Sequence, residues 1–133
     1  MPADFSEVIA ELDALASSVS RRGGEILFRC GEPVSGIFLV RCGSVKMAFD
    51  EPNPAYPPTV IGPGGIAGLP AALTGTYSLT AEVIEDAELG FIPAAMVVRL
   101  LECSPRFCIL VSRTMSGEIA RIRHLVRDHT RVN

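Results

Sequence analysis

Apolar residues recur at helical spacing at both ends of this 133-residue chain and form short runs between them. Near the N-terminus the recurring apolar positions are Phe5, Val8, Ile9, Leu12, Leu15 and Val19. This spacing predicts an amphipathic helix within residues 1–22, because residues three and four apart share one helical face. The arginine–glycine run at 21–24 is expected to end it.

Between residues 23 and 93 the pattern changes to short apolar runs that are separated by glycine-containing turns. The runs are 26–28, 37–40, 45–49, 60–61 and 89–92. Several short strands at close spacing predict a β-roll over residues 23–93. Four prolines interrupt the series within residues 50–58. Because proline cannot donate to a central sheet, this segment is predicted to be an exposed loop or hairpin tip.

Helical spacing returns over residues 94–130. The run 94–102 predicts a short helix, and Ser104 followed by Pro105 predicts the start of a long one that reaches about residue 128. A small β-domain offers little surface to bury so long an apolar stripe. The distal half of the long helix is therefore predicted to pack against the same helix of a second copy in a homodimer. The residues assigned to this dimer helix are Val111, Met115, Ile119, Ile122 and Val126.

Composition and charge narrow the class of protein. The length fits one domain, 1–133, and a net charge of -3 argues against a domain built mainly to bind nucleic acid. The four cysteines form no CxxC pair, which is typical of reduced structural thiols in a cytoplasmic protein. The acidic N-terminus lacks the features of a signal peptide, and no apolar run approaches the length of a membrane span, so no membrane association is expected.

The stretch GGEILFRCGEPVSGIFLVRCGSVKM, residues 23–47, resembles the first half of the cyclic nucleotide-binding domain of the catabolite activator protein family. The matching residues are Gly24, Leu27, Phe28, Gly31, Glu32, Phe38, Leu39, Val40, Gly43 and Val45. The resemblance continues through residues 61–75 and 81–93. It implies a mainly β fold with flanking helices: a double-stranded β-helix, or jelly roll, with a long C-terminal dimerisation helix.

Residues 68–80, GLPAALTGTYSLT, resemble the phosphate-binding cassette of that family, which reads roughly GELALLTGxPRSA in nucleotide-binding members. The resemblance implies that the Glu of such a cassette accepts a hydrogen bond from the ribose hydroxyl and that its Arg pairs with the cyclic phosphate. Here Leu69 stands at the Glu position, and the Arg position falls on Tyr77 or Ser78. Losing both charged contacts would cost about 3–6 kcal/mol of binding free energy. The candidate ligand-binding residues are Gly68, Leu69, Ala71, Ala72, Thr74, Tyr77, Ser78 and Thr80.

Several functions stay open at this point. The expectation is a non-catalytic sensing or regulatory interaction domain that does not bind cyclic AMP in the usual way and needs no cofactor. The alternatives are a true cyclic AMP module, a domain for another small ligand, a ligand-free packing module and a cupin-like metal enzyme. The last is disfavoured because both histidines, His124 and His129, lie outside the roll, and no metal site is expected.

Family members with a DNA-binding domain continue past the long helix into a helix-turn-helix. Because this sequence stops at Asn133, no DNA binding by this chain alone is expected. The partners expected from the resemblance are a second copy of the chain, another protein or a full-length relative.

Overall fold

The computed structural model of the chain describes residues 3–113, with side chains from residue 7 onward. The elements in chain order are α1 (Ala3–Leu15), β1 (Ser17–Arg21), β2 (Ile26–Phe28), β3 (Gly36–Ala48), β4 (Thr59–Ile61), β5 (Ile66–Ala67), α2 (Leu69–Thr74), β6 (Thr80–Pro93) and α3 (Ala94–Cys103). A further helix, α4, occupies residues 105–113.

The N-terminal helix is shorter than the sequence predicts. Helix α1 ends at Leu15, and Val19, which the helical spacing included, lies in β1 opposite Leu89 of β6. The run SSVS explains the difference, because serine competes with the helical backbone for hydrogen bonds and a β-branched valine favours a strand. The sheet therefore starts at Ser17 rather than at residue 23.

Strands β3 and β6 form the long antiparallel pair on which the sheet is built, and the strand order is β1-β6-β3-β4. The runs 37–40 and 45–49, predicted as separate strands, are one continuous strand, whose register with β6 shifts between Val40 and Val45. Gly43 lies at this irregularity with a left-handed φ of 85°. A Cβ there would lie 2.4 Å from the carbonyl oxygen of Asp86, so only glycine fits this close approach.

The chain has two apolar cores, one on each face of β3. Because side chains alternate along a strand, Phe38 and Val40 point into the roll, whereas Ile37 and Leu39 point towards the helices. We call these the roll core and the helix core. The helix core also contains Val8, Leu12, Leu69, Ile92, Val97, Phe107, Leu110 and Val111. All four helices therefore contribute side chains to one cluster against the outside of the roll.

The C-terminal helices start where the sequence predicts. Helix α3 occupies Ala94–Cys103, and the Ser104 Oγ accepts a hydrogen bond from the Phe107 N–H at 3.2 Å as α4 begins. Of the residues assigned to the dimer helix, Val111 is 5% exposed and belongs to the helix core of its own chain. The others, Met115, Ile119, Ile122 and Val126, lie outside the described residues, so the stripe beyond Val111 stays a prediction.

The proline segment and the cysteines complete the comparison with the sequence. Residues 49–58 connect the antiparallel strands β3 and β4, in line with the predicted hairpin tip. All four cysteines are free, and three of them (Cys30, Cys42 and Cys103) are exposed, which differs from the expectation of structural thiols. Cys30 lies in the turn after β2. Within residues 3–113, no helix has the length and apolarity that a membrane crossing requires.

Candidate functional site

The predicted cassette has the expected backbone. Gly68, with a left-handed φ of 91°, precedes the short helix α2, Pro70 lies in its first turn, and Gly75 ends it. A Cβ on Gly68 would lie 3.2 Å from the Tyr77 ring and 3.3 Å from the carbonyl oxygen of Gly36. The start of α2 is therefore packed directly against Tyr77 and the beginning of β3.

Tyr77 is buried, with 2% of its surface exposed. Its ring stacks on Phe28 with ring centroids 3.7 Å apart and an interplanar angle of 10°. Its hydroxyl donates a hydrogen bond to the Gly36 carbonyl oxygen at 2.7 Å, and the backbone N–H groups of Ser35 and Gly36 each donate to that hydroxyl at 3.2 Å. The side chain that stands near the family's arginine position is thus tied to the protein's own backbone.

The sheet register explains why Gly36 needs this partner. Gly36 lies opposite Pro93 at the end of the β3–β6 pair. The Ala94 N–H donates to the Ser35 carbonyl, so the next carbonyl along β3, that of Gly36, points away from β6, to the side where β5 pairs only with Phe38 and Leu39. Because buried backbone carbonyls are costly to leave unpaired, the Tyr77 hydroxyl supplies the donor that the sheet lacks.

The apolar candidates of the cassette are packing residues. Leu69, at the position of the family's ribose-binding Glu, is 1% exposed and lies in the helix core. Ala71 is buried in the roll core, and Ala72 packs against the helix core. Helix α2 therefore joins the two cores, and Leu69 connects it to the cluster shared with α1, α3 and α4.

The hydroxyl candidates make hydrogen bonds within the chain. The Thr74 Oγ1 donates to the carbonyl oxygen of Thr76 at 3.1 Å. The Thr80 Oγ1 donates to Asp50 Oδ1 at 2.5 Å and accepts from the Cys30 N–H at 2.9 Å. Ser78 is exposed, and its backbone carbonyl accepts the Cys30 thiol at 3.3 Å. Of these three side chains, that of Ser78 makes no hydrogen bond within the described part of the chain.

Two cations on strand β3, Arg41 and Lys46, are engaged outside the cassette. The Arg41 Nε lies 2.6 Å from Asp13 Oδ1, and its Nη1 donates to Ser18 Oγ at 2.7 Å. The Lys46 Nζ lies 3.8 Å from Glu82 Oε1 across the β3–β6 pair. Both cations are therefore balanced by carboxylates on other elements, which agrees with a cassette that has no guanidinium for a phosphate.

Sequence reasoning identified the cassette but missed the groups that close it. Ser35 and Gly36 were not candidates, because their contacts with Tyr77 span 42 and 41 residues along the chain, respectively. Among residues 3–113, no group of three or more metal-ligating side chains forms a metal site, and His124 and His129 lie outside that range.

Comparison with known proteins identifies the family. The model of the cyclic nucleotide-binding domain matches residues 18–103. The transcriptional activator protein anr of Pseudomonas aeruginosa is 31% identical over 122 residues, which cover 86% of this chain and 49% of that protein. The transcriptional regulatory protein btr of Bordetella pertussis is 28% identical over 127 residues, 95% of this chain and 52% of the relative. The chain thus spans about half the length of the curated relatives it matches.

Solved structures agree on the fold. The catabolite activator protein of Thermus thermophilus superposes with a TM-score of 0.67 at 18% identity, covering 99% of this chain and 60% of that one. The c-di-GMP responsive global regulator CLP of Xanthomonas campestris gives a TM-score of 0.70 at 19% identity, covering 95% and 63%. The mainly antiparallel jelly roll with flanking helices is confirmed, and the chain belongs to the cyclic nucleotide-binding domain family, with relatives among the Crp/Fnr transcription regulators.

Proposed function

We propose that this chain is a non-catalytic regulatory domain of the Crp/Fnr type that does not bind cyclic AMP in the usual way. The observation that carries the proposal is the buried Tyr77, whose ring packs against Gly68 at the start of α2. A phosphate bound there in the family's manner would use the backbone N–H groups of that turn. Tyr77 packs against the first residue of that turn.

Binding energetics support the same conclusion. A nucleotide would have to break the Tyr77–Phe28 stack, which is worth about 0.5–1.5 kcal/mol beyond the area it buries. It would also leave the Gly36 carbonyl without its donor. The absent Glu and Arg contacts add about 3–6 kcal/mol. Since each 1.4 kcal/mol is tenfold in affinity, micromolar binding would weaken to the millimolar range or beyond.

A true cyclic nucleotide module is the second candidate, favoured by one observation. Helix α2 keeps the left-handed Gly68 at its start and Gly75 at its end, so the backbone of a binding cassette is intact. In this alternative, Tyr77 would swing out of the roll and the neutral N–H groups of α2 would hold the phosphate. The cost of that movement is what separates the two proposals.

For the output of the domain we propose a homodimer in the cytoplasm, formed through the predicted stripe of Val111, Met115, Ile119, Ile122 and Val126. The curated relatives are transcription regulators, and we propose that this domain serves the same kind of regulation through its dimer contact or through a protein partner.

A thermal-shift titration with cyclic AMP and cyclic GMP tests the proposal. A ligand held a hundredfold above its dissociation constant would add about 2.7 kcal/mol of stability, which is easily seen. We expect no change in melting temperature at millimolar nucleotide. A saturable shift with a micromolar midpoint would instead establish the cyclic nucleotide module.

The matched control for this titration is Ser78→Arg, because Ser78 is exposed and lies beside Tyr77. The variant places a guanidinium near the cassette without disturbing the Tyr77 contacts. If it shifts equally with cyclic AMP and with inorganic phosphate, the added charge attracts any anion. If cyclic AMP, but not inorganic phosphate, raises the melting temperature of the variant, the nucleotide can enter the cassette. That result would contradict the proposal.

A further inference from the structure

In the described part of the chain, strand β1 lies at one edge of the sheet, beside β6. Backbone N–H and C=O groups alternate between the two sides of a strand. The Ala94 N–H, directly after β6, donates to the Ser35 carbonyl oxygen on the β3 side. Leu89 lies an odd number of residues earlier in a regular register, so it presents its groups to β1, where it is opposite Val19. The residues on either side of Val19 therefore present their backbone groups to the open edge.

This open edge consists of the backbone groups of Ser18 and Ser20, which are both exposed. Within residues 3–113, Arg21 makes the one hydrogen bond to them, because its Nη1 donates to the Ser20 carbonyl oxygen at 2.9 Å. Unpaired backbone groups at a sheet edge are a template for another strand, and charged side chains commonly cover such edges. The Arg21 guanidinium thus caps part of an edge that is able to pair.

The edge is complementary to itself. When two copies pair antiparallel with their Val19 residues opposite each other, Ser18 of each copy lies opposite Ser20 of the other, and all these residues present their hydrogen-bonding groups to the seam. Charges on the outer face match in the same register. The Arg41 Nη1 donates to Ser18 Oγ at 2.7 Å, and Ser20 Oγ donates to the Glu88 carboxylate at 2.7 Å. The cationic half of each edge therefore faces the anionic half of the other.

The cation at this edge is held in place. Arg41 belongs to β3, and its guanidinium crosses β6 to reach Ser18 on β1. A Cβ on Gly90 of β6 would lie 3.3 Å from Arg41 Nη2, so the crossing lies over a residue without a side chain. Asp13 Oδ1 accepts a hydrogen bond from the Arg41 Nε at 2.6 Å. The charge pattern of the edge is therefore fixed before any second copy arrives.

We propose that β1 is a pairing edge for a second copy of this chain and that Arg21 limits the pairing. While the Arg21 guanidinium holds the Ser20 carbonyl, the hydrogen bond that this carbonyl accepts across the seam cannot form. Release of Arg21 completes the seam. The inference rests neither on the cassette nor on the predicted stripe. If the stripe joins two chains, pairing through β1 joins such dimers into larger assemblies.

The strength of the cap suits a limit rather than a block. Arg21 is exposed, so water competes for its hydrogen bond to Ser20. One hydrogen bond of this kind changes an equilibrium constant by about fivefold. Because each copy carries one cap, loss of Arg21 is expected to tighten the pair by about 5- to 25-fold.

The first test compares Arg21→Ala with Arg22→Ala in the full chain. Arg22 is exposed, and its side chain makes no hydrogen bond or ion pair within the described range, so it controls for the loss of one positive charge. Sedimentation velocity over a concentration series measures association, and amide hydrogen exchange by NMR locates it. We expect Arg21→Ala to associate at an about 5- to 25-fold lower concentration than the wild type and to slow exchange of the Ser18 and Ser20 amides. Arg22→Ala is expected to match the wild type.

The second test adds Ser20→Pro to the Arg21→Ala variant. Proline removes the outward N–H of residue 20 and leaves the hydrogen bonds to β6 in place, because that N–H does not face β6. Ser20→Ala in the same background is the matched control, since it loses the hydroxyl but keeps the N–H. The proline variant is expected to lose the protection of Ser18 that depends on concentration, and the alanine variant is expected to keep it.

Three results would overturn the inference. The first is an Arg21→Ala variant that matches the wild type in both mass and amide exchange. The second is a rise in mass that leaves the Ser18 and Ser20 amides unprotected, because the copies would then meet elsewhere on the chain. The third is equal association of the proline and alanine variants of Ser20. The nucleotide titration is independent of all three, because it tests the cassette.

Discussion

Removing one oxygen from Tyr77 isolates the interaction that closes the cassette. The substitution Tyr77→Phe keeps the ring and its stack on Phe28 but removes the hydroxyl. That hydroxyl is the donor to the Gly36 carbonyl and the acceptor for the Ser35 and Gly36 N–H groups. Phenylalanine fits the same space, so the change tests the hydrogen bonds with little effect on packing.

The expected loss is about 2 kcal/mol of unfolding free energy. Each buried polar group left without a partner costs about 1–3 kcal/mol. The Gly36 carbonyl is buried and points away from β6, so without the hydroxyl no strand donates to it and it bears most of the cost. Ser35 is exposed, and its N–H can turn to water. For a chain of 133 residues this loss lowers the melting temperature by about 7 °C.

Urea denaturation followed by circular dichroism measures this difference, with an unchanged m-value confirming that the unfolded state is the same. Ser78→Ala is the control, because an exposed hydroxyl contributes less than about 0.5 kcal/mol. If Tyr77→Phe is as stable as the wild type within about 0.5 kcal/mol, the hydroxyl is not needed at Gly36. The explanation of the closed cassette would then be refuted.

Three further experiments, with four substitutions, test other parts of the fold and of the cassette. Leu69→Glu places a carboxylate in the helix core and is expected to lower the unfolding free energy by more than about 3 kcal/mol in urea titrations. A stable variant that binds cyclic AMP more tightly than the wild type would show instead that residue 69 faces a ligand site. Gly43→Ala is expected to lower the unfolding free energy by more than about 3 kcal/mol, because its Cβ would lie 2.4 Å from the Asp86 carbonyl oxygen. Gly24→Ala, at a similar φ but with no atom within 4 Å of the added Cβ, is expected to cost about 1 kcal/mol. Equal losses of unfolding free energy in the two variants would contradict the steric explanation. Tyr77→Ala leaves a cavity beside Gly68, and p-cresol, the analogue of the tyrosine side chain, is expected to fill it. Added p-cresol should therefore raise the melting temperature of the variant but not that of the wild type. An unchanged melting temperature would mean that the cavity collapses.

The fold followed from the sequence because its signals are local. Short apolar runs separated by glycines predicted the strands, and Ser104 with Pro105 predicted where α4 begins. The errors arose where a local pattern was ambiguous. Val19 continued the helical spacing of α1, but pairing with β6 placed it in a strand. The runs on either side of Gly43 form one strand, because a glycine can accommodate a bulge within a strand as well as end the strand.

The candidate site was only partly predictable because its contacts are distant in sequence. The spacing of Gly68, Pro70 and Gly75 predicted the cassette backbone, and the absence of Glu and Arg predicted the loss of charge. That Tyr77 reaches Gly36, or that Arg106 reaches Glu7, depends on how β3, α1 and α4 are placed in space. No residue pattern in one segment encodes such a contact.

Amide NMR spectra of the full chain during a cyclic AMP titration test the central claim most directly, because they locate any binding. The account predicts that the amides of Gly68, Ala71, Ala72 and Tyr77 keep their chemical shifts at millimolar nucleotide, since Tyr77 stays bound to Gly36. Saturable shifts confined to those amides, with a micromolar midpoint, would contradict it and would show that the cassette opens to hold the nucleotide.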